Sequence, residues 1–338
     1  MSAAAAELPS SAATTGIRPE KVRITNMSTT KNDVYQIVTD RILAELDKGV
    51  IPWKKPWIAP NVSSRRACAY SRATGKPYSL LNQMLLGKPG EWASFKQIQE
   101  AGGRVKAGEK SSICVFWKFL EKDVIDPKTG KPALDDHGHK LVESIPMLRY
   151  YNVFHIESQC EGLQPRKHKD DDAQPLPADQ EWEDVEKADA IVQAYLAGSG
   201  VKLTETPCSD RAFYSPATDS VTVPSRAQFP EQAEFYSTLF HELTHSTGHK
   251  SRLDRFSGPG DHTFGGQEYS KEELVAEIGA ACLNSICGIE STGSFKNSAS
   301  YIAGWAKKLR EDRKMIVSAS SRAEKAVNLI LNGGVMTA

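Results

Sequence analysis

His241-Glu242-Leu243-Thr244-His245 decides how this chain is read. Two imidazoles four residues apart fall on one face of an α-helix, one turn above the other, so both can reach a single ion. The carboxylate beside the first histidine then stands where a general base for a metal-bound water is needed, the pattern of zinc peptidases. The flanking residues favour a helix. Pro230 suits a first helical position, and Glu231 and Glu234 suit the positive end of the helix dipole. Phe235, Leu239 and Leu243 recur every four residues and form a stripe to bury, and Gly248 marks a C-terminal break. The bland alternative, a buried helix whose histidines are only hydrogen-bonded, explains less of this context.

A catalytic zinc takes three protein ligands and leaves the fourth position to water, so a third residue is required; another divalent metal would need the same. His249 follows closely but lies beyond Gly248, off the regular helix. The run from Tyr269 to Ala280 is the better source. Ser270 reads as an N-cap and Glu273 as its capping-box partner, which starts a helix there. Glu273 and Glu277 then share a face, one turn apart, among Leu274, Ile278 and Ala281. The pair resembles the Glu-zincin arrangement, in which one acid ligates and a second orients a histidine. Glu273 is assigned as ligand and Glu277 as the orienting acid, with the roles exchangeable and His249 the other candidate. Zinc held this way would polarise a peptide carbonyl, while Glu242 takes a water proton and passes it to the leaving amine. Tyr214, Tyr236 and Tyr269 are all candidates to stabilise the oxyanion.

At 338 residues the chain is long enough for two domains, and it contains no apolar run able to cross a membrane. Met1 to Asn26 is rich in Ala, Ser and Thr and lacks the charged start and apolar core of a secretory signal. We read residues 1–32 as a disordered tail, with Met27 an alternative start. The six cysteines show no zinc-ribbon spacing, which points to reduced thiols and a cytoplasmic location.

The zero net charge hides a polar split. Lys48 to Lys118 holds 13 basic and 3 acidic residues, whereas Glu181 to Ala338 holds 16 basic and 21 acidic. Pro165, Asp170, Asp171, Asp172, Pro175 and Pro177 mark residues 161–180 as a linker between a domain at 33–160 and one at 181–338. The basic half mixes cations with rings: Trp53, Lys54, Lys55, Trp57, Arg65, Arg66, Arg72, Lys76 and Tyr78, then Trp92, Phe116, Trp117 and Lys118. Cations that follow phosphates and rings that stack on unpaired bases are the means by which single-stranded nucleic acid is held. Alternating apolar positions at 113–119 and 147–156 predict strands for a platform, with Asp126 to His139 an exposed hairpin loop between them. The competing reading makes the tryptophans core and the cations a solvated face, or assigns the basic surface to an acidic protein partner. No glycine-rich phosphate loop is present: Gly102-Gly103 lacks the Lys-Ser/Thr ending.

Both halves together resemble the ArdC-type antirestriction proteins. In the first half the resemblance rests on Asp33-Val34-Tyr35-Gln36, Ile51-Pro52-Trp53, Gly75-Lys76-Pro77-Tyr78, Asn82, Trp92 to Gln97, Gly108-Glu109-Lys110 and Tyr151 to Phe154. In the second it rests on Tyr214, Asp219, Phe229, Tyr236, Leu239 to His245, Thr247-Gly248-His249, Arg252-Leu253, Glu272 to Gly279 and Tyr301 to Trp305. It runs from about Asp33 to Asn328, and His155 departs from the Asn expected after Val-Phe. The resemblance implies an α+β protein with an N-terminal single-stranded DNA-binding domain and a C-terminal zincin-like metallopeptidase domain, related to domains of TraC-type primases. It further implies a plasmid or mobile-element protein that protects incoming conjugative DNA from the recipient's restriction systems; the protein substrate is left open, with the restriction machinery one candidate. The alternative is a primase-associated, DNA-binding replication accessory whose metal site is catalytically idle.

Overall fold

Helix α1 (Val34–Leu46) forms where Val38, Ile42, Leu43 and Leu46 recur at helical spacing, and all four are buried. The structure, a computed structural model, describes residues 33–54, 68–166, 180–257, 266–289 and 299–336. A 3-10 turn at Pro52–Lys54 follows, then β1 (Ala69–Ser71), α2 (Leu80–Leu86), β2 (Gly90–Ala93), α3 (Phe95–Glu100) and β3 (Arg104–Val105). Helix α2 ends on Gly87, whose φ of 63° is the left-handed conformation a glycine adopts without a Cβ penalty. A capping box between Ser94 and Gln97 starts α3.

Strands β4 (Ser112–Asp123) and β5 (Val142–His155) are longer than the alternation predicts and pair from Ser112–Val153 out to Asp123–Val142. The loop between them carries further bridges, Ile125–Pro132 and Leu134–Lys140. The sheet order is β1-β2-β5-β4, with β1 and β2 parallel and the rest antiparallel. Strand β2 meets β5 only at His155 and Phe154, so among the described residues the outer ribbon has no third strand. Helix α4 (Ile156–Gln159) and β6 (Cys160–Glu161) close this half; β6 pairs with β3, so ordered structure runs into the expected linker. Residues 167–179 of that linker and the 1–32 tail lie outside the described residues.

The second half runs α5 (Gln180–Ser199), β7 (Lys202–Thr206), β8 (Phe213–Ser215), β9 (Ser220–Pro224), α6 (Gln232–Ser246), α7 (Gln267–Cys287), α8 (Ala299–Glu311) and α9 (Met315–Leu331). Strand β9 lies between β7, parallel to it, and β8, antiparallel to it. The whole is α+β, as expected. No helix among the described residues is long and apolar enough to cross a membrane.

The charge split does not divide the interior. One apolar cluster takes Val38, Ile42, Trp53 and Met84 from the first half and Tyr195, Phe240, Leu274, Leu309 and Val327 from the second. Trp53 meets Trp305 edge to face at 6.2 Å, and Thr39 Oγ1 donates to the Arg313 carbonyl at 2.9 Å. The backbone N–H of Leu80, at the start of α2, donates to Glu324 of α9 at 3.4 Å. All six cysteines are free thiols; five are buried and Cys208 is exposed.

Candidate metal centre

The site is built where α6 and α7 pack closely. A Cβ on Gly279 would lie 2.6 Å from the Thr244 Cγ2, so only glycine lets the two helices approach this far. Helix α6 starts at Gln232 with Glu231 as its N-cap, so Pro230 lies before the helix rather than at its first position. Its end also differs from expectation. Gly248 does not take a left-handed conformation; a side chain there would meet the Phe256 ring at 2.7 Å and Arg255 at 3.1 Å. Helix α7 begins at Gln267 with Gly266 as N-cap, one turn before the expected start. Ser270 and Glu273 therefore sit inside the helix, and the Glu273 carboxylate is not spent on a capping box but projects toward α6.

His241, His245 and Glu273 converge. The two Nε2 atoms are 3.2 Å apart, and the Glu273 oxygens lie 3.5 Å from His241 Nε2 and 3.6 Å from His245 Nε2. Ligands bonded tetrahedrally to zinc at about 2.0–2.1 Å stand about 3.4 Å from one another, close to these approaches, which Glu273 makes with a different oxygen to each histidine, so the donor set suits such an ion. Among the described residues it is the single cluster of this kind. Glu242 is buried beside it, close enough for its charge to act on both His245 and Tyr269.

The acid hydrogen-bonded to a cluster histidine is Glu272, whereas Glu277, expected in that place, pairs elsewhere. His245 Nδ1 donates to Glu272 Oε1 at 3.3 Å, while Glu277 accepts from the Tyr301 hydroxyl at 3.0 Å, further along α7. Glu272 is in turn clamped by Arg255, whose Nε and Nη2 reach its two oxygens at 2.9 and 2.6 Å. The same guanidinium donates to Thr247 Oγ1 at 2.7 Å and to the Thr244 carbonyl at 2.9 Å, tying the end of α6 to the start of α7. Such a contact fixes the ring and its tautomer for ligation. His241 Nδ1, by contrast, is buried with no hydrogen-bond partner among the described residues. Nothing in the spacing of Arg255 signals this role.

Electrostatics follow the same map. Burial opposes ionisation of Glu273, but the His241 hydrogen bond and the charges of both histidines outweigh it and hold the carboxyl down at about 2. Burial likewise opposes ionisation of Glu272, and the Arg255 hydrogen bonds reverse it to a net lowering. For His245, burial disfavours the charged ring, yet the Glu272 hydrogen bond and the charges of Glu272, Glu242 and Glu273 leave a net rise. Burial and the neighbouring Glu273 push the Tyr269 hydroxyl up to about 12. Of the three tyrosines singled out in the sequence, Tyr269 alone stands here. Tyr214 donates to Asp219 at 2.8 Å and Tyr236 to Asp189 at 2.7 Å. His249 bonds Ser251 at 2.8 Å in the turn beyond α6 and is not part of the cluster.

The expected nucleic-acid residues fare differently. Trp53 is fully buried against Trp305, and Tyr78 is buried with hydrogen bonds to Tyr151 and Cys114. Arg72 is paired with the buried Glu91 and donates to the Gln164 carbonyl at 3.3 Å. Lys54 lies 5.1 Å over the Tyr301 ring, and Lys76 is exposed. These positions make Trp53, Tyr78 and Arg72 parts of the scaffold, because helix α8 and strand β5 cover rings that composition alone leaves unassigned. Lys55, Trp57, Arg65 and Arg66 lie outside the described residues.

Comparison with known proteins agrees with this geometry in both halves. Residues 187–322 match a family described as zincin-like metallopeptidase, and residues 32–154 match the N-terminal domain of anti-restriction factor ArdC. The crystal structure of the antirestriction ArdC protein from the R388 plasmid, metal-free, is 33% identical with a TM-score of 0.62, covering 89% of this chain and 98% of that one. The chain belongs to the ArdC antirestriction family. The Mn(II)-bound structure of the same R388 protein matches an ArdC-family chain of this kind at 32% identity and a TM-score of 0.61, covering 89% of this chain and 98% of that one. A DNA primase TraC of Escherichia coli is 36% identical over 314 residues, 90% of this chain; the chain spans only 28% of that relative's length.

Proposed function

We propose that this ArdC-family chain is a zinc-dependent peptidase of a plasmid or other mobile element that also binds single-stranded DNA and protects incoming conjugative DNA from restriction. The observation that carries the peptidase reading is the convergence of His241, His245 and Glu273 within 4.8 Å, with Glu242 adjacent in sequence to the first ligand. His241, His245 and Glu273 would hold the metal. When bound, zinc supplies Lewis acidity toward a peptide carbonyl and toward water. Glu242 accepts a proton from the attacking water and delivers it to the leaving amine, and Tyr269 donates a hydrogen bond to the developing oxyanion. Glu272, held by Arg255, keeps His245 in one ring orientation. The R388 ArdC protein with Mn(II) supports a divalent ion in this fold, and the anti-restriction match over 32–154 supports DNA binding by the first half.

The test is zinc content and peptide-library cleavage by the wild type and Glu242→Ala, together with plasmid transfer into a restricting recipient. Stoichiometric zinc in both proteins, with cleavage and protection lost only in Glu242→Ala, is the expected result. A second reading is favoured by the TraC relative: a DNA-binding accessory of replication whose metal site does no chemistry. Protection that survives Glu242→Ala would select it.

A further inference from the structure

We propose that the outer part of the β4–β5 ribbon carries the single-strand stacking surface, on one of its two faces. This rests on the reading above that the protein binds single-stranded DNA, and it moves the contact away from Trp53 and Tyr78. Residues directly opposite in an antiparallel pair share a face, and successive residues alternate. The register therefore puts Phe116 with Arg149, Lys118 with Met147, Leu120 with Ile145 and Lys122 with Glu143 on one face, together with Tyr151 opposite Cys114. Trp117 with Leu148, Phe119 with Pro146 and Glu121 with Ser144 occupy the other.

The two faces differ in charge. The first has Lys118, Lys122 and Arg149 against Glu143; the second has Glu121 and no cation along the same stretch. Lys118, Lys122 and Arg149 are exposed and make no ion pair among the described residues. Phe116 and Tyr151 are 43% and 38% exposed, and their rings meet edge to face at 5.8 Å, which leaves ring surface open beside those cations. At its base the same face continues to the Tyr151–Tyr78 hydroxyl pair, two residues from the exposed Lys76. Open rings flanked by unpaired cations suit a strand whose bases can splay out, since duplex bases hide the surfaces that stack. A plain apolar partner would need neither the cations nor their segregation to one face.

The experiment measures anisotropy of labelled oligo(dT) with the full chain across a salt series. Phe116→Ala is expected to weaken binding about ten-fold. Phe119→Ala, on the opposite face and 64% exposed, should bind like wild type. The double variant Lys118→Gln/Arg149→Gln should flatten the log–log salt dependence by about 1.4, the release from two phosphates of a single strand. All variants alter exposed side chains, and unchanged melting temperatures will verify their fold. If wild type binds while Phe116→Ala and the double variant bind equally well, or Phe119→Ala loses as much, the face assignment is overturned. If Phe116→Ala abolishes self-association in sedimentation and leaves DNA affinity intact, the surface is a contact between copies and the proposal falls. A wild type that ignores oligo(dT) overturns the parent reading itself.

Discussion

The α6–α7 centre and the β4–β5 ribbon are built on opposite terms. At the centre the carboxylates are paired within the site: Glu273 of α7 faces the two histidines of α6, and Glu272 joins His245 to Arg255. On the ribbon, Lys118, Lys122 and Arg149 stand exposed with no ion pair among the described residues, and the Phe116 and Tyr151 rings keep open surface beside them. The first arrangement spends its charge internally to hold one geometry; the second keeps its charge for something outside. A site for chemistry requires fixed ligands, and a site for a long flexible polymer requires open ones.

The sharpest way to break this comparison is at Glu242. Glu242→Ala should keep stoichiometric metal, measured by atomic absorption, while peptide hydrolysis falls by about 10²–10⁴-fold, the usual contribution of a general base. Loss of metal from Glu242→Ala would make it a ligand and overturn the assignment. Next comes Trp53, which links the two halves. Trp53→Ala should cost about 3–5 kcal/mol in denaturant unfolding, as removal of a buried aromatic does. Oligo(dT) affinity of the folded fraction should stay unchanged; a ten-fold loss with little destabilisation would return Trp53 to the DNA surface.

Arg255 tests whether the internal pairing matters to the ion. Arg255→Leu should weaken metal affinity about 10–100-fold by competition titration, with Arg255→Lys recovering part of it. Broadened ligand-field bands of the Co(II)-loaded variant would show a loosened His245. An unchanged affinity and spectrum would reduce the clamp to packing. The smallest effect concerns Asp219, which Arg252 and Tyr214 hold by hydrogen bonds strong enough to lower its carboxyl despite the opposing effect of burial. A depressed folded-state carboxyl adds stability above its unfolded value and loses it as pH falls through the folded one. Asp219→Asn should thus cost about 1–3 kcal/mol at neutral pH, because a buried guanidinium loses its counter-charge. The gap between variant and wild type should close as the pH drops below the ordinary carboxylate range. A pH-independent gap would remove charge from the explanation.

What could be read in advance tracks the distance over which each feature is decided. His241 and His245 share a face because four residues make one helical turn, a property internal to the segment. Glu273 is recognisable as an acid on a following helix, but the start of that helix is not: Ser270 and Glu273 fit a capping box, whereas Gly266 caps α7 one turn earlier. Glu272 and Arg255 meet only through tertiary packing, so no local pattern marks them. The ring exposures depend on partners still further away. Trp53 is covered by Trp305, more than 200 residues on, while Phe116 stays open because β2 ends before reaching it. Composition treats both rings alike. Fold class was legible, since helical and alternating periodicities are both local signals.

The shared interior has a thermodynamic consequence. Val38, Ile42 and Trp53 are covered in part by residues of α7, α8 and α9, so severing the chain near residue 164 strips water exclusion from the first half. A fragment cut there is expected to melt early or aggregate, whatever it contributes to DNA binding in the full chain. In the intact protein the two halves then unfold as one cooperative system, and whatever binds either half stabilises both. Metal at a hundred-fold excess over its dissociation constant adds about 2.7 kcal/mol to the folded state as a whole. Chelation should therefore lower the melting temperature read from the ribbon aromatics Trp117 and Tyr151 as much as that read from α6, making the metal a thermostat for the DNA-binding half.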